Sequence, residues 1–251
     1  MAQSRVALVT SGTGGIGSAI CKELTIAGFN VIAGLYPPEK SEAFKWQEAM
    51  QKEGFKIGLA GGDVADFKSA GEMIKEAEAK AGPISILVNC AGITRDKMLK
   101  GMSEQQWNAV IKTNLDSVFN TTQQVISGML ERGFGRIINI SSVNGQKGQF
   151  GQANYSAAKA GLHGFTMAVA QETALKGITV NTISPGYIAT EMTKAIRPDI
   201  LESITQTIPM RRMGEPEEIA STVAWLADEK TSYVTGANIP VNGGLFMGGR
   251  S

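Results

Sequence analysis

Short apolar runs alternate with amphipathic stretches from one end of this chain to the other. Seven runs read as strands, over 5–10, 30–35, 56–60, 85–89, 136–141, 179–184 and 237–241. Between them, apolar residues at helical spacing predict helices over 15–27, 39–53, 66–81, 103–132, 155–176 and 215–227. Strands apolar at nearly every position belong in a parallel sheet covered by helices on both faces. The pattern therefore predicts an α/β, doubly wound parallel sheet of about seven strands. No linker or composition shift divides the chain, so 1–251 reads as a single domain. One stretch breaks the rhythm. Between the sixth strand and the last helix, Ile188, Met192, Ile196, Ile200, Ile204 and Met210 are spread among polar residues. A connection this long, leaving the carboxyl end of a strand, predicts a substrate lid at about 187–213. An ordinary surface helix pair is the alternative.

Composition narrows the function. The 251 residues are 43% hydrophobic and 19% charged, as in soluble globular proteins. A formal net charge of +1 gives no electrostatic reason to bind nucleic acid or an anionic membrane. No apolar run reaches the roughly 18–20 residues of a membrane span, and the N-terminus lacks a signal-peptide pattern, so a cytoplasmic protein is expected. Two cysteines, Cys21 and Cys90, and one histidine, His163, leave too few ligands for a zinc site, and no metal is expected. The cysteines read as small core residues. With no acidic residue near it in sequence, His163 reads as structural.

The first strand runs into Thr10-Ser11-Gly12-Thr13-Gly14-Gly15-Ile16-Gly17 and then a helix. Glycines there permit a tight turn and close approach of backbone to a pyrophosphate. The helix N-terminus supplies N–H donors and partial positive charge. This placement predicts a Rossmann-like, dinucleotide-binding sheet. The second strand ends in Gly34, Leu35 and Tyr36, without the carboxylate that usually holds an NAD ribose; Glu39 is the first acid. That favours NADP, with Lys40 (or Lys45) meeting the 2′-phosphate, although Glu39 beside Lys40 counts against it.

Tyr155 and Lys159 lie four residues apart on a predicted helix, hence on one face. A phenol titrates near ~10 and is a usable proton donor at neutral pH. An ammonium ~4 Å away at an effective dielectric of ~20 interacts by ~4 kcal/mol and would lower that value by roughly three units. A solvated lysine beside a packed tyrosine is the plainer reading of the same spacing.

Four motifs in order, namely the glycine turn, Asn89-Cys90-Ala91-Gly92, Ser142 with Tyr155 and Lys159, and Pro185-Gly186 followed by Thr190, resemble the short-chain dehydrogenase/reductase family over the whole chain. The resemblance implies that Tyr155 gives a proton to the substrate oxygen, which Ser142 orients. Lys159 would bind the nicotinamide ribose and acidify the phenol, and Asn114 would hold a water linking Lys159 to solvent. It further implies adenine contacts from Asp63 and Val64, an adenine ribose beside Asn89, Ala91 and Gly92, and carboxamide contacts from Ile188 and Thr190. Each polar residue has a plainer reading: Ser142 could cap a helix or turn, and Asn114 could satisfy backbone groups. The family's usual Thr-Gly is Thr10-Ser11 here. If that position needs positive φ, serine costs on the order of 1 kcal/mol.

The blocks Ile140 to Gln152, Gly92 to Asp96 and Ser184 to Thr190 carry the resemblance further. They imply NADPH-dependent reduction of acetoacetyl-CoA to (R)-3-hydroxybutyryl-CoA in polyhydroxybutyrate synthesis, with Asp96, Gln149, Gln152, Tyr187 and Arg197 framing the acyl-CoA. A homotetramer is the family's usual assembly. The rival reading is reduction of a 3-oxoacyl group on an acidic acyl-carrier protein, which needs basic residues near the site mouth. Neutral Gln171 beside Glu172 argues against it, with Arg132 and Arg136 still available for docking. A non-catalytic NADP-sensing protein is the remote alternative, since a fold alone does not fix function.

Overall fold

The computed structural model describes residues 5–190 and 197–248. Seven strands form one all-parallel sheet in the order β3-β2-β1-β4-β5-β6-β7. They are β1 (Val6–Val9), β2 (Asn30–Leu35), β3 (Gly58–Gly61), β4 (Ile84–Asn89), β5 (Gly135–Ile140), β6 (Ile178–Pro185) and β7 (Asn238–Val241). The helices are α1 (Gly15–Ile26), α2 (Lys40–Lys52), α3 (Phe67–Ala81), α4 (Glu104–Ile111), α5 (Ser117–Arg132), α6 (Val143–Lys147), α7 (Ala153–Thr173), α8 (Pro198–Thr207) and α9 (Pro216–Ala227). Among the described residues, no helix is long and apolar enough to cross a membrane.

Successive residues of β1 divide between two cores. Ala7 and Val9 pack with α1, α2 and α9 through Ile20, Leu24, Met50 and Val223. Val6 and Leu8 pack with α3 and α5 through Met73, Ile74, Val125 and Met129. Both faces are thus buried, which explains why the strands show no polar alternation. Strand order reverses at β1, where Val9 pairs with Ala33 on one side and Val88 on the other. A crevice opens beyond the carboxyl ends of the strands at such a point.

The expected strands all form, within two residues at each end. The expected helix over 103–132 is divided. Ser103 starts α4 in a capping box with Gln106, but a π turn at Lys112–Asp116 separates α4 from α5. The i→i+5 pattern keeps apolar spacing nearly helical on either side, so periodicity alone did not reveal the break. The 155–176 helix begins two residues early at Ala153 and ends in a 3-10 turn over Ala174–Lys176. The short helix α6 was not expected, and α8 lies in the segment for which a surface helix pair was the alternative reading. Within the presumed lid, Met192 and Ile196 lie outside the described residues. The ends of that segment meet in a parallel bridge between Ile188 and Gly214, with the Ala189 N–H donating to Gly214 O at 2.8 Å and the Gly214 N–H to Tyr187 O at 2.9 Å.

Candidate active site

The glycine turn and the start of α1 form one wall of a cleft of about 450 Å³. Gly14 caps α1 without any side-chain acceptor, leaving the first-turn N–H groups for a ligand. The turn leaves no room for larger residues: a Cβ on Gly12 would sit 2.7 Å from the Ala33 Cβ, and one on Gly17 would sit 2.1 Å from Ser11 O. Ser11 holds φ at 52°, the left-handed conformation feared from the sequence. Ser11→Gly is therefore expected to raise unfolding stability by up to about 1 kcal/mol, measurable in urea, with no loss of cofactor affinity.

Thr10 ties the turn to the next strand. Its Oγ1 accepts from the Cys90 and Ala91 N–H groups at 3.0 and 3.1 Å. A second cleft of about 330 Å³, continuing from the first, is lined by Thr13, Gly34, Tyr36, Asp63, Val64, Ala91 and Gly92. These residues can hold the adenosine half of a dinucleotide. Two expectations fail here. Asn89 lines neither cleft, because its amide donates to Asn139 Oδ1 at 2.9 Å and accepts from Thr121 Oγ1 at 2.7 Å within the core. Lys40 is exposed, its ammonium 5.8 Å from the Phe44 ring, while Glu39 lines the adenosine cleft in its place. The 3-10 turn over Pro37–Glu39 brings Glu39 inward and sends Lys40 onto α2. Arg95, which the sequence did not single out, also lines this cleft.

Ser142, Tyr155 and Lys159 converge on the larger cleft with Gly15, Ile16, Pro185, Gly186, Ile188 and Thr190. Ser142, two residues past β5, caps α6, its Oγ accepting from the Asn144 N–H at 3.1 Å. The capping role is thus observed, and it leaves the hydroxyl in the cleft. The Lys159 ammonium is buried and donates to Ile140 O at 2.7 Å, lying 5.8 Å from the Tyr155 ring centroid. Desolvation lowers its pKa to about 8, opposed by the nearby Cys90 thiol. The strong acidification of Tyr155 by Lys159 is not found. Burial raises the phenol above its ordinary value, Ser142 pulls it down, and Asp96 and Cys90 raise it further. Burial outweighs any help from the ammonium, which donates to the Ile140 carbonyl.

Lys159 gives the fold a pH signature. Between about pH 8 and 10.5 the unfolded chain keeps this proton while the folded chain releases it. Lys159 therefore contributes stability that rises with pH across that window, opposed from about pH 9 by the buried thiols Cys21 and Cys90 and later by Tyr155, all of which ionise first in the unfolded chain. Urea unfolding near pH 7 and pH 9, compared between wild type and Lys159→Met, isolates the contribution: stability should rise less, or fall, in the variant.

Asn114, fully buried in the π turn, binds both backbone groups of Ile93: Oδ1 accepts from its N–H at 2.8 Å and Nδ2 donates to its O at 2.9 Å. Its side chain thus fixes the Ile93 backbone beside Lys159. A Cβ on Gly92 would lie 3.4 Å from both Asn114 Oδ1 and Lys159 Nζ, so these two groups flank one point of the cleft floor. Behind it, Ser141 Oγ donates to Lys159 O at 2.8 Å and lies 3.1 Å from His163 Nε2. Burial lowers the pKa of His163, in keeping with a structural role.

The substrate candidates divide. Tyr187 and Gln152 line the cleft, and Gln152 Nε2 donates to Asp96 at 2.8 Å. Gln149 is exposed and accepts from Lys147 instead, and Arg197 is exposed and paired with Asp199. Neither lines the cleft. Arg132 is exposed and Arg136 is buried, and neither lies at the cleft mouth. Arg132 donates to Ile84 O at 2.6 Å and Arg136 is buried against Gly135 and Gly177 carbonyls, both at the opposite pole of the sheet. Cys90, read as a core residue, lines the catalytic cleft; standing one residue past β4, it was placed in the strand by its apolar neighbours. Asn144 and Val143 line it too, and adjacency to Ser142 was their only sequence signal.

A sheet whose switch-point crevice carries a glycine-rich helix start beside a Ser–Tyr–Lys cluster defines a nucleotide-dependent oxidoreductase. The short chain dehydrogenase family matches residues 5–201, and the chain belongs to that family. Its members use nicotinamide cofactors, and this chain is an oxidoreductase acting on CH–OH groups. Among its relatives, an "Acetoacetyl-CoA reductase" of Allochromatium vinosum is 60% identical, covering 97% of this chain and 99% of the relative. One of the same name from Cupriavidus necator is 56% identical with the same coverage. A "3-oxoacyl-[acyl-carrier-protein] reductase FabG" of Staphylococcus epidermidis is 43% identical, covering 97% and 100%.

Proposed function

We propose that the chain reduces acetoacetyl-CoA to (R)-3-hydroxybutyryl-CoA with NADPH, in polyhydroxybutyrate synthesis. The carrying observation is the meeting of Ser142, Tyr155 and Lys159 in one cleft with the bare N-terminus of α1. A bound nicotinamide supplies the hydride for the C3 carbon. Tyr155, kept protonated at neutral pH by burial, donates its proton to the C3 oxygen. Ser142 orients that oxygen and polarises the carbonyl. Lys159 holds the nicotinamide ribose and returns a proton toward the phenol. Asn114, in the π turn and beside Lys159 at the cleft floor, would hold the water that links Lys159 to solvent. Gly12 to Gly17 and Asp63 hold the dinucleotide. NADP is favoured by the lack of a carboxylate on Gly34, Leu35 or Tyr36, despite Glu39 at the rim.

In this reading 1–251 is one cofactor-binding domain in a cytoplasmic homotetramer, and 187–213 closes over the substrate from its bridged base. Acyl-CoA is preferred to acyl-carrier protein because Arg132 and Arg136 are spent far from the cleft mouth. The two relatives named for acetoacetyl-CoA, 60% and 56% identical against 43% for the carrier-protein reductase, support the same choice. Purified protein should oxidise NADPH with acetoacetyl-CoA at higher kcat/KM than with acetoacetyl-carrier protein. The reverse order would favour fatty-acid synthesis, and no oxidation with either would favour a sensing role.

A further inference from the structure

We propose that Asn144, held by Gln152 and Asp96, is a positioning residue that fixes the direction of the Ser142 hydroxyl. The inference rests on the reading that Ser142 and Tyr155 act on a carbonyl, and it concerns groups to which that reading gives no role of this kind. Gln152 and Asp96, expected to touch substrate, are engaged with each other: Gln152 Nε2 donates to the Asp96 carboxylate at 2.8 Å, and Gln152 Oε1 accepts from Asn144 Nδ2 at 2.9 Å. An ionised carboxylate only accepts, so it sets the polarity of the whole chain. Gln152 must turn its nitrogen to Asp96 and its oxygen to Asn144, and Asn144 must then present its nitrogen.

That order has a visible cost. Asn144 Oδ1 is left buried without a hydrogen-bond partner. An acceptor stranded beside an active cleft calls for a reason. The reason lies in the backbone of the same residue, held with the first turn of α6 by this side-chain network: the Asn144 N–H donates to Ser142 Oγ at 3.1 Å. A hydroxyl has one proton to give. With a lone pair of Ser142 occupied from the α6 side, its proton is free to point into the cleft toward the Tyr155 oxygen. The charged and titratable groups facing that oxygen are Asp96 and Cys90 beyond β4 and Lys159 on α7. From α6, Lys147 turns away to Gln149.

The test uses Asn144→Ala and Gln152→Leu in the full chain. In ligand-free protein, tyrosinate absorbance taken as the difference from Tyr155→Phe reads the phenol directly. Both variants should titrate at higher pH than wild type, because Ser142 no longer donates reliably. With acetoacetyl-CoA, Asn144→Ala should lose about tenfold in kcat with little change in KM. Its melting temperature should change little, since the stranded acceptor is lost together with the donor to Gln152 Oε1. A folded Asn144→Ala with an unmoved phenol titration overturns the proposal, as does a lower melting temperature accompanied by unchanged kcat. Should Asn144→Ala fail to fold, the titration of Gln152→Leu decides. Wild-type protein that reduces no 3-oxoacyl thioester, yet shows the phenol shift in the variants, would sink the proposed function and leave the positioning chain standing.

Discussion

Tyr155→Phe is expected to lower turnover of acetoacetyl-CoA by at least ~10²-fold while leaving NADPH affinity nearly unchanged. The substitution keeps the ring, and with it the packing at the start of α7, and removes only the hydroxyl that faces Ser142. Because burial raises the phenol's pKa, the residue enters the reaction loaded with a proton at neutral pH. Among the described residues lining the cleft, Tyr155 is the titratable group whose hydroxyl meets Ser142. Steady-state kinetics and NADPH fluorescence titration on the same preparation measure both quantities. Turnover within a few fold of wild type would remove Tyr155 from its role.

Gly17→Ala is expected to weaken dinucleotide binding by about 100-fold or more and to destabilise the fold by about 1–3 kcal/mol. The added methyl would lie 2.1 Å from Ser11 O and 3.0 Å from the Gly12 Cα, both backbone atoms that no side-chain rotation can move. The first turn of α1 must then separate from the end of β1, which displaces the N–H groups offered to the pyrophosphate. Isothermal titration with NADPH and urea unfolding follow the two effects. Ser11→Gly, which relaxes the same turn, serves as the opposite control. Native affinity in Gly17→Ala would show that the turn is not the cofactor cradle.

Much of this was legible in the residues because the signals are local or repeated. Continuous apolar runs such as Ile84–Asn89 announce a doubly covered strand, and Gly12 to Gly17 announce a turn in which bulk is forbidden. Tyr155 and Lys159 were placed together by helical spacing alone. What escaped depends on pairings between segments distant in the chain. Asn89 was read as a ligand contact, but its partners Thr121 and Asn139 lie 32 and 50 residues away. Lys40 was a plausible phosphate partner until Pro37 and Pro38 set the turn that carries it outward. The π turn at Lys112–Asp116 was hidden because one extra residue barely disturbs the apolar rhythm. The phenol's raised pKa is invisible to helical spacing, because the Coulomb attraction of a neighbouring ammonium leaves out the desolvation that accompanies burial.

The bridge between Ile188 and Gly214 carries a consequence for how this scaffold diversifies. A strap whose two ends meet at one bridge can be exchanged between relatives without rethreading the sheet, provided Thr190, which stands against Gly15 of the nucleotide cradle, is kept. Transplanting residues 197–213 from a reductase of longer 3-oxoacyl thioesters should accordingly alter chain-length preference while nucleotide affinity stays fixed. Altered affinity in such a chimera would mean that the bridge does not insulate one end of the crevice from the other.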